Sequence, residues 1–345
     1  MTAAPGTRPN LRVAVAGATG YAGAGCVGLL WQHPGVDVVQ VGSRSQAGRR
    51  HQDVCPGSGC PLELEAEVDG SGCDVVVSAL PPGEAAGAAR GWLEQGAVVI
   101  DVAADFRLRD PAAYRAWYGR DHPAPELLEQ AVLALPELQP EAISGASLLA
   151  LPGCFSTAAI LACGPAAMSG LVEPEVVVDA KTGTSGAGRQ ADSGHLFSEL
   201  NESVRAYSVS GHRHRPEMEQ ALSQLAGASF GVTFVPHLAP MTRGIVATCY
   251  LRPRPGVGLE PLLQAYRQRY QGAPFVSLVD QAAPSKLASH TNLCFISLQL
   301  QGPHLVVCAV LDNLGRGASS QAVQVLNQRF GLEPTAGLAA APQWP

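Results

Sequence analysis

Apolar positions follow two rhythms along this chain of 345 residues. Up to about residue 150 they form short, largely apolar runs: LRVAVAG (11–17), VDVVQVGS (36–43), CDVVVSAL (73–80), AVVIDVA (97–103) and SLLALPG (147–153). Valine-rich runs bounded by glycine and proline predict strands covered on both faces. Alanine- and glycine-rich stretches lie between them, the alternation expected of βαβ units in a parallel sheet. Beyond Cys154 the runs lengthen to VEPEVVVDAKTGTSG, ASFGVTFVPHLAP, RGIVATCYLRPR, NLCFISLQLQG and HLVVCAVL. With helix patterns over 216–226 and 259–271 among them, they predict an α+β unit with a mixed or antiparallel sheet. A last helix pattern (317–330) follows DNLGRG and is expected to fold back onto the first unit. The expected divisions are 1–153, 154–312 and 313–345, with the closing GLAAAPQWP loose.

The first turn gives the N-terminal unit a chemistry. GATGYAG follows the first strand and opens a helix pattern, so glycines permit a tight turn and helix N–H groups face an anion. This is the Rossmann-type arrangement for a dinucleotide pyrophosphate, and Gly17, Thr19, Gly20, Tyr21, Ala22 and Gly23 are its candidate contacts. At the end of the second strand, where an NAD site offers an acid to the ribose, the chain reads Gly42-Ser43-Arg44. A hydroxyl and a guanidinium favour a 2′-phosphate, so NADP(H) is the expected cofactor. Arg49 and Arg50 lie near enough in sequence to contribute, or to be solvated loop residues.

Cys154 is the candidate nucleophile. LPGCFSTAAI carries it out of a strand, through a Pro-Gly turn, to the start of a helix, where unpaired N–H groups favour the thiolate. Cys26, Cys163, Cys249, Cys294 and Cys308 sit in apolar runs and read as structural thiols. GHRHRPE supplies two candidate bases, His212 and His214; alternation on an extended segment would point both into one pocket with Arg213 facing away. KTGTSGAGR (181–189) combines glycine turns, hydroxyls and cations, suited to holding oxyanions through backbone N–H groups, with Ser185, Gly186 and Arg189 as candidates. Arg107 and Arg109 in ADFRLRD are candidate carboxylate clamps or surface arginines.

Composition narrows the setting. A chain of this length exceeds what one core usually serves. It is 46% hydrophobic and 15% charged, ordinary for a globular protein. A net charge of -6 argues against nucleic acid or an anionic membrane as partner. The N-terminal MTAAPGTRPN has no apolar signal core, and no apolar run is long enough to span a bilayer, so a cytoplasmic protein is expected. Nine cysteines show no disulfide-framework spacing. Cys55, Cys60 and Cys73 lack the paired spacing of a structural zinc site, and the two histidines with one cysteine have no further ligand cluster, so no metal is expected.

Taken in order, GATGYAG, Ser43-Arg44, ALPPG (79–83), ADFRL, PGC with STA behind it, SGAGR, GHRH with PE following, and DNLGRGAS resemble the N-acetyl-γ-glutamyl-phosphate reductase family of arginine biosynthesis over nearly the whole chain. The resemblance implies the semialdehyde-dehydrogenase fold, whose second domain is catalytic and dimerising, and a homo-oligomer, dimer or tetramer. It implies NADPH-dependent reduction of a small-molecule acyl phosphate through a thioester on Cys154, with the GHRH histidines as partners. Leu80, Pro81, Asn313 and Gly317 become expected cofactor contacts. Leu151 before PGC and Phe155-Ser156 after it depart from the family pattern. The alternatives are a reductase of lysine biosynthesis acting on a substrate one methylene longer, an aspartate-semialdehyde dehydrogenase, and an NADP(H)-sensing regulator without turnover.

Overall fold

In the computed structural model, which describes residues 10–189 and 192–338, the two rhythms become two sheets. Strands β1 (Leu11–Ala16), β2 (Val36–Gly42), β3 (Val75–Ser78), β4 (Val98–Asp101), β5 (Val132–Leu133) and β6 (Leu148–Ala150) form one sheet in the order β2-β1-β3-β4-β6-β5. Every pairing is parallel. β3, β4 and β6 are buried at every position because helices cover both faces, which is why their sequences are unbroken apolar runs. β5 is a two-residue edge strand, too short to leave a pattern. The strand order reverses between β1 and β3, which opens a crevice at their carboxyl ends.

The second sheet contains β7 (Val172–Thr182), β8 (Arg205–Ala206), β9 (Gly231–Leu238), β10 (Ile245–Pro253), β11 (Val276–Leu278), β12 (Cys294–Gln301) and β13 (His304–Leu311). Its order is β11-β12-β13-β10-β7-β9-β8. It is mixed: β7 runs parallel to β9 and β11 to β12, and the other pairs are antiparallel. One face packs on helices, so buried positions alternate along β9 and β10. The other face leaves Val177, Tyr250 and Leu300 exposed.

Helix Cys154–Ser169 lies against the packed face of this second sheet. It is apolar all round and buried from Phe155 to Ala167, as a helix enclosed on every side must be. Pro165 inside it cannot donate to the carbonyl four residues back, Leu161, and the Tyr270 hydroxyl donates to that oxygen at 2.5 Å instead. The interruption is therefore satisfied, and the helix holds its first turn fixed.

The pattern over 317–330 is two pieces, a π-helical turn Gly315–Ser319 and an α-helix Ser320–Phe330. Val323 and Leu326 of this helix pack with Val13, Leu30 and Ile143 on one face of the first sheet. The segments expected to be a signal-free N-terminus and a loose tail lie mostly outside the described residues.

A buried ion pair fixes that return. Arg316, with no exposed surface, donates from Nη2 to Glu137 Oε2 at 2.6 Å, and Gln324 Nε2 donates to Glu137 Oε1 at 2.7 Å. Removing one partner strands a buried charge, so Glu137→Ala is expected to lower unfolding free energy by about 3–5 kcal/mol. Urea denaturation checks it, and a loss under about 1 kcal/mol would contradict a dry, paired site.

Candidate active site

The crevice between β1 and β3 is a cleft of about 900 Å³ lined by Gly17, Thr19, Gly20, Ser43, Arg44, Leu80 and Pro81, among others. Gly17 has φ +76°, and a Cβ there would stand 2.5 Å from the Ala79 carbonyl oxygen. Only glycine lets the turn pass under the end of β3. Gly20, which lines the cleft, is the N-cap of helix Tyr21–Trp31, so the positive end of that helix lies next to the cleft. The Thr19 and Ser43 hydroxyls meet at 2.8 Å. Arg44 ends the row, with Nη1 3.0 Å from Glu84 and Nε 3.4 Å from Glu67. This donor set fits NADP(H): glycine turn and helix start for the pyrophosphate, serine and arginine for the 2′-phosphate.

A second cavity of about 390 Å³ adjoins the first, since Pro82 and Ala187 line both. Cys154, His212 and His214 line it together. Cys154 is the first residue of its helix, delivered by β6 through Pro152-Gly153. A Cβ on Gly153 would fall 2.2 Å from His214 Nε2, so this glycine is what lets the imidazole lie against the nucleophile's turn. A Cβ on Gly317 would lie 2.6 Å from Cys154 Cβ, so the π-turn closes on the thiol from another side.

The histidines are ordered by backbone and by Glu217. His214 opens helix His214–Ala226, and its N–H donates to His212 Nδ1 at 3.1 Å. Neutral His212 therefore carries its proton on Nε2. Phe155 sets its ring edge-on to both imidazoles, at 5.9 Å from each. Glu217, with no exposed surface, accepts from the Gly153 N–H at 2.8 Å, the Ser156 hydroxyl at 2.8 Å and Arg107 Nη1 at 3.2 Å. Burial alone would raise its carboxyl, but Arg107, His214 and these donors hold it below the usual range.

Electrostatics at the thiol run against the helix-terminus expectation. Burial pushes Cys154 up to about 11, outweighing the pull of the Arg107 guanidinium and of the Phe155 N–H. Burial likewise lowers His214 to about 3 and His212 to about 4, although Glu217 opposes both shifts. The resting pair is thus a neutral thiol beside a neutral imidazole, able to pass a proton when the sulfur attacks.

Comparison with known proteins identifies the architecture. Residues 12–146 match the semialdehyde dehydrogenase NAD binding domain, and residues 154–313 the semialdehyde dehydrogenase dimerisation domain. N-acetyl-gamma-glutamyl-phosphate reductase of Symbiobacterium thermophilum is 45% identical over 97% of this chain and 100% of its own. That of Halorhodospira halophila is 46% identical over 95% of this chain and 98% of its own. The chain belongs to the N-acetyl-gamma-glutamyl-phosphate reductase family. Its fold is shared more widely: aspartate semialdehyde dehydrogenase II of Vibrio cholerae superposes with TM-score 0.73 at 18% identity, covering 94% of this chain and 99% of its own. The Candida albicans aspartate semialdehyde dehydrogenase with NADP gives 0.72 at 16%, covering 93% and 98%.

Within this reductase fold several sequence candidates lie elsewhere than expected. Arg109 is exposed and outside the cavity walls, its backbone N–H bonded to Gln220, because the chain turns outward there into the Asp110-capped helix. Arg107 does line the cavity, but Nε, Nη1 and Nη2 already donate to Leu151, Glu217 and Val102. Tyr21, Ala22 and Gly23 do not line the cleft; Tyr21 is 44% exposed, and a Gly23 Cβ would collide with the Gly17 carbonyl. Gly23 therefore serves close packing of helix on turn. Arg189 lines the cofactor cleft rather than the substrate cavity, donating to the Thr19 carbonyl at 3.2 Å.

The loop after β7 differs most from its expected role. The N–H groups of Gly183, Thr184, Ser185, Gly186 and Gly188 all donate to protein carbonyls, so they do not cradle an oxyanion. Gly186 lines the cavity; Ser185 is buried behind it, its hydroxyl accepting from Asn313 Nδ2 at 3.0 Å. Asn313 also accepts from the Gly244 N–H, tying loops together outside both cavities. Arg213 does not face away, because GHRH is a helix start rather than an extended strand, and it lines the cavity with its neighbours. Among the described residues no group of three or more His, Cys, Asp or Glu converges as for a metal.

Sequence reasoning missed Glu217, Tyr118, Arg205 and Tyr207. Glu217 was signalled, standing three residues after His214 on the same helix face; the others come from segments without a motif.

Two measurements follow from this geometry. Because the thiolate is the reactive form and lies above neutrality, iodoacetamide alkylation of Cys154 in the ligand-free protein is expected to rise about tenfold per pH unit from pH 7 to 10. A rate already level by pH 8 would mean a preformed thiolate. Arg44→Ala is expected to weaken 2′,5′-ADP by about tenfold or more in calorimetric titration while barely changing 5′-AMP. Equal losses would remove Arg44 from the 2′-phosphate.

Proposed function

We propose that the chain catalyses NADPH-dependent reduction of N-acetyl-L-glutamyl 5-phosphate to N-acetyl-L-glutamate 5-semialdehyde, releasing phosphate, through a thioester on Cys154. One observation carries the reading: a thiol at a helix start, an imidazole lying on the glycine before it, and a cavity opening onto the dinucleotide cleft at Pro82 and Ala187. Full-length relatives at 42–46% identity named for this activity support the substrate.

Cys154 Sγ attacks the acyl carbon while neutral His214 takes the thiol proton. The tetrahedral centre collapses with loss of phosphate, a good leaving group, and leaves the thioester. The helix-start N–H groups of Cys154 and Phe155 lie at the sulfur and favour its charged form, while the Gly153 N–H is committed to Glu217. His212, with Nδ1 occupied by the His214 N–H and its proton on Nε2, donates to the developing oxyanion. The Gly17–Gly20 turn, Ser43 and Arg44 would hold NADPH, whose chemistry when bound would be hydride donation that takes the acyl group to the aldehyde level. His214 returns a proton as the carbon–sulfur bond breaks and the semialdehyde leaves. Glu217 holds the His214 helix against the Gly153 turn throughout.

A homodimer or homotetramer in the cytoplasm accompanies this reading, supported by the match to a dimerisation domain and by the open, partly apolar face of the second sheet. Among the described residues no helix is long and apolar enough to cross a membrane.

The deciding assay follows NADP reduction with N-acetylglutamate semialdehyde and phosphate. Cys154→Ala is expected to fall to background, and His214→Asn to lose about 10²–10⁴ in kcat. Wild-type turnover by Cys154→Ala would eliminate the covalent route.

A further inference from the structure

The cavity around Cys154 carries positive charge that the bond-making steps do not use. Arg107, Arg205 and Arg213 line it, and among the described residues no carboxylate does. Arg107 is matched from behind by Glu217 and spends a donor from each of its three nitrogens on protein oxygens. Its conformation serves the carboxylate that holds the His214 helix.

Arg205 and Arg213 are in another condition. Among the described residues neither is ion-paired. Both are nonetheless held in place. Arg205, on edge strand β8, donates from Nη2 to the Gly194 carbonyl at 3.0 Å. The Arg213 guanidinium carbon lies 5.4 Å from the centre of the Tyr118 ring, a cation–π arrangement that fixes the fork while sparing its N–H donors. Two guanidiniums, tethered separately and with donors to spare, present bidentate sites for anions.

The substrate of the proposed reaction has two anionic ends, an acyl phosphate at the reacting carbon and a carboxylate at the other end of a short chain. We propose that Arg205 and Arg213 are the specificity-determining residues that hold these two anions, one each, and that Arg107 is a positioning residue acting through Glu217. The arrangement rests on the proposed function for the identity of the anions, and on the cavity alone for their charge. It also accounts for the committed N–H groups of the 183–188 loop: side chains, rather than that backbone, supply the oxyanion donors.

In the phosphorolytic direction phosphate and semialdehyde are separate substrates, so the two sites can be read separately. Arg205→Gln and Arg213→Gln are each expected to raise the KM of one of the two by about tenfold or more, with kcat changed by less than about threefold. Arg107→Lys is expected to lower kcat with smaller effects on both KM values. KM values within about twofold of the parent for both glutamine variants, or a fall in kcat alone, would overturn the assignment. Unchanged 2′,5′-ADP binding by calorimetry certifies that the variants fold.

Protection of Cys154 from iodoacetamide by inorganic phosphate or N-acetylglutamate reads anion binding without turnover. Loss of one protection in each glutamine variant supports the proposal even if the parent does not turn over the named substrates, an outcome that would count against the reaction alone. Protection retained in both variants overturns the proposal.

Discussion

The Glu217 carboxylate is the contact on which the catalytic arrangement depends. It comes from the helix that begins at His214, yet its acceptors are filled from elsewhere: the Gly153 N–H before the nucleophile, the Ser156 hydroxyl on the nucleophile's helix, and Arg107 from the loop after β4. Three segments distant in sequence are thus fixed by one buried group. A carboxylate without exposed surface tolerates this only while paired and hydrogen-bonded, so losing any one donor disturbs the other two.

Close packing completes what that charge begins. Gly153 leaves room for the His214 ring, and Gly317 lets the π-turn rest on Cys154. The same turn includes Arg316, whose buried pairing with Glu137 anchors the returning helix. Nucleophile, base and closing turn therefore belong to one packed body. Burial shapes the chemistry, raising the thiol and lowering both imidazoles so that these three groups rest uncharged. Charge separation then waits for a substrate able to stabilise it, which protects a sulfur nucleophile from indiscriminate reaction.

Much of this was legible from residues near one another in the chain. The parallel strands were readable because burial on both faces demands continuous apolar runs, and VAVA (13–16) of β1 and VVI (98–100) of β4 have no polar residue. The glycine turn, Ser43-Arg44 and the Pro-Gly-Cys junction are local in the same sense: each does its work within a few residues. Local pattern says less about distant company. Arg107 and Arg109 look alike two positions apart, but one is buried against Glu217 and the other exposed, which no spacing rule distinguishes. Gly23 and Asn313 read as ligand contacts; in the fold Gly23 packs closely on the Gly17 turn, and Asn313 ties the Ser185 and Gly244 loops together.

The sequence by itself determined the two sheets, the glycine turn and the place of the Cys154 sulfur at a helix start, because periodicity, glycine geometry and a helix start are properties of short stretches. Tertiary structure alone decided the state of that sulfur, the availability of each arginine and the fate of the loop N–H groups. Those depend on burial and on which partner is already taken, and both are set by segments that meet only when the chain has folded.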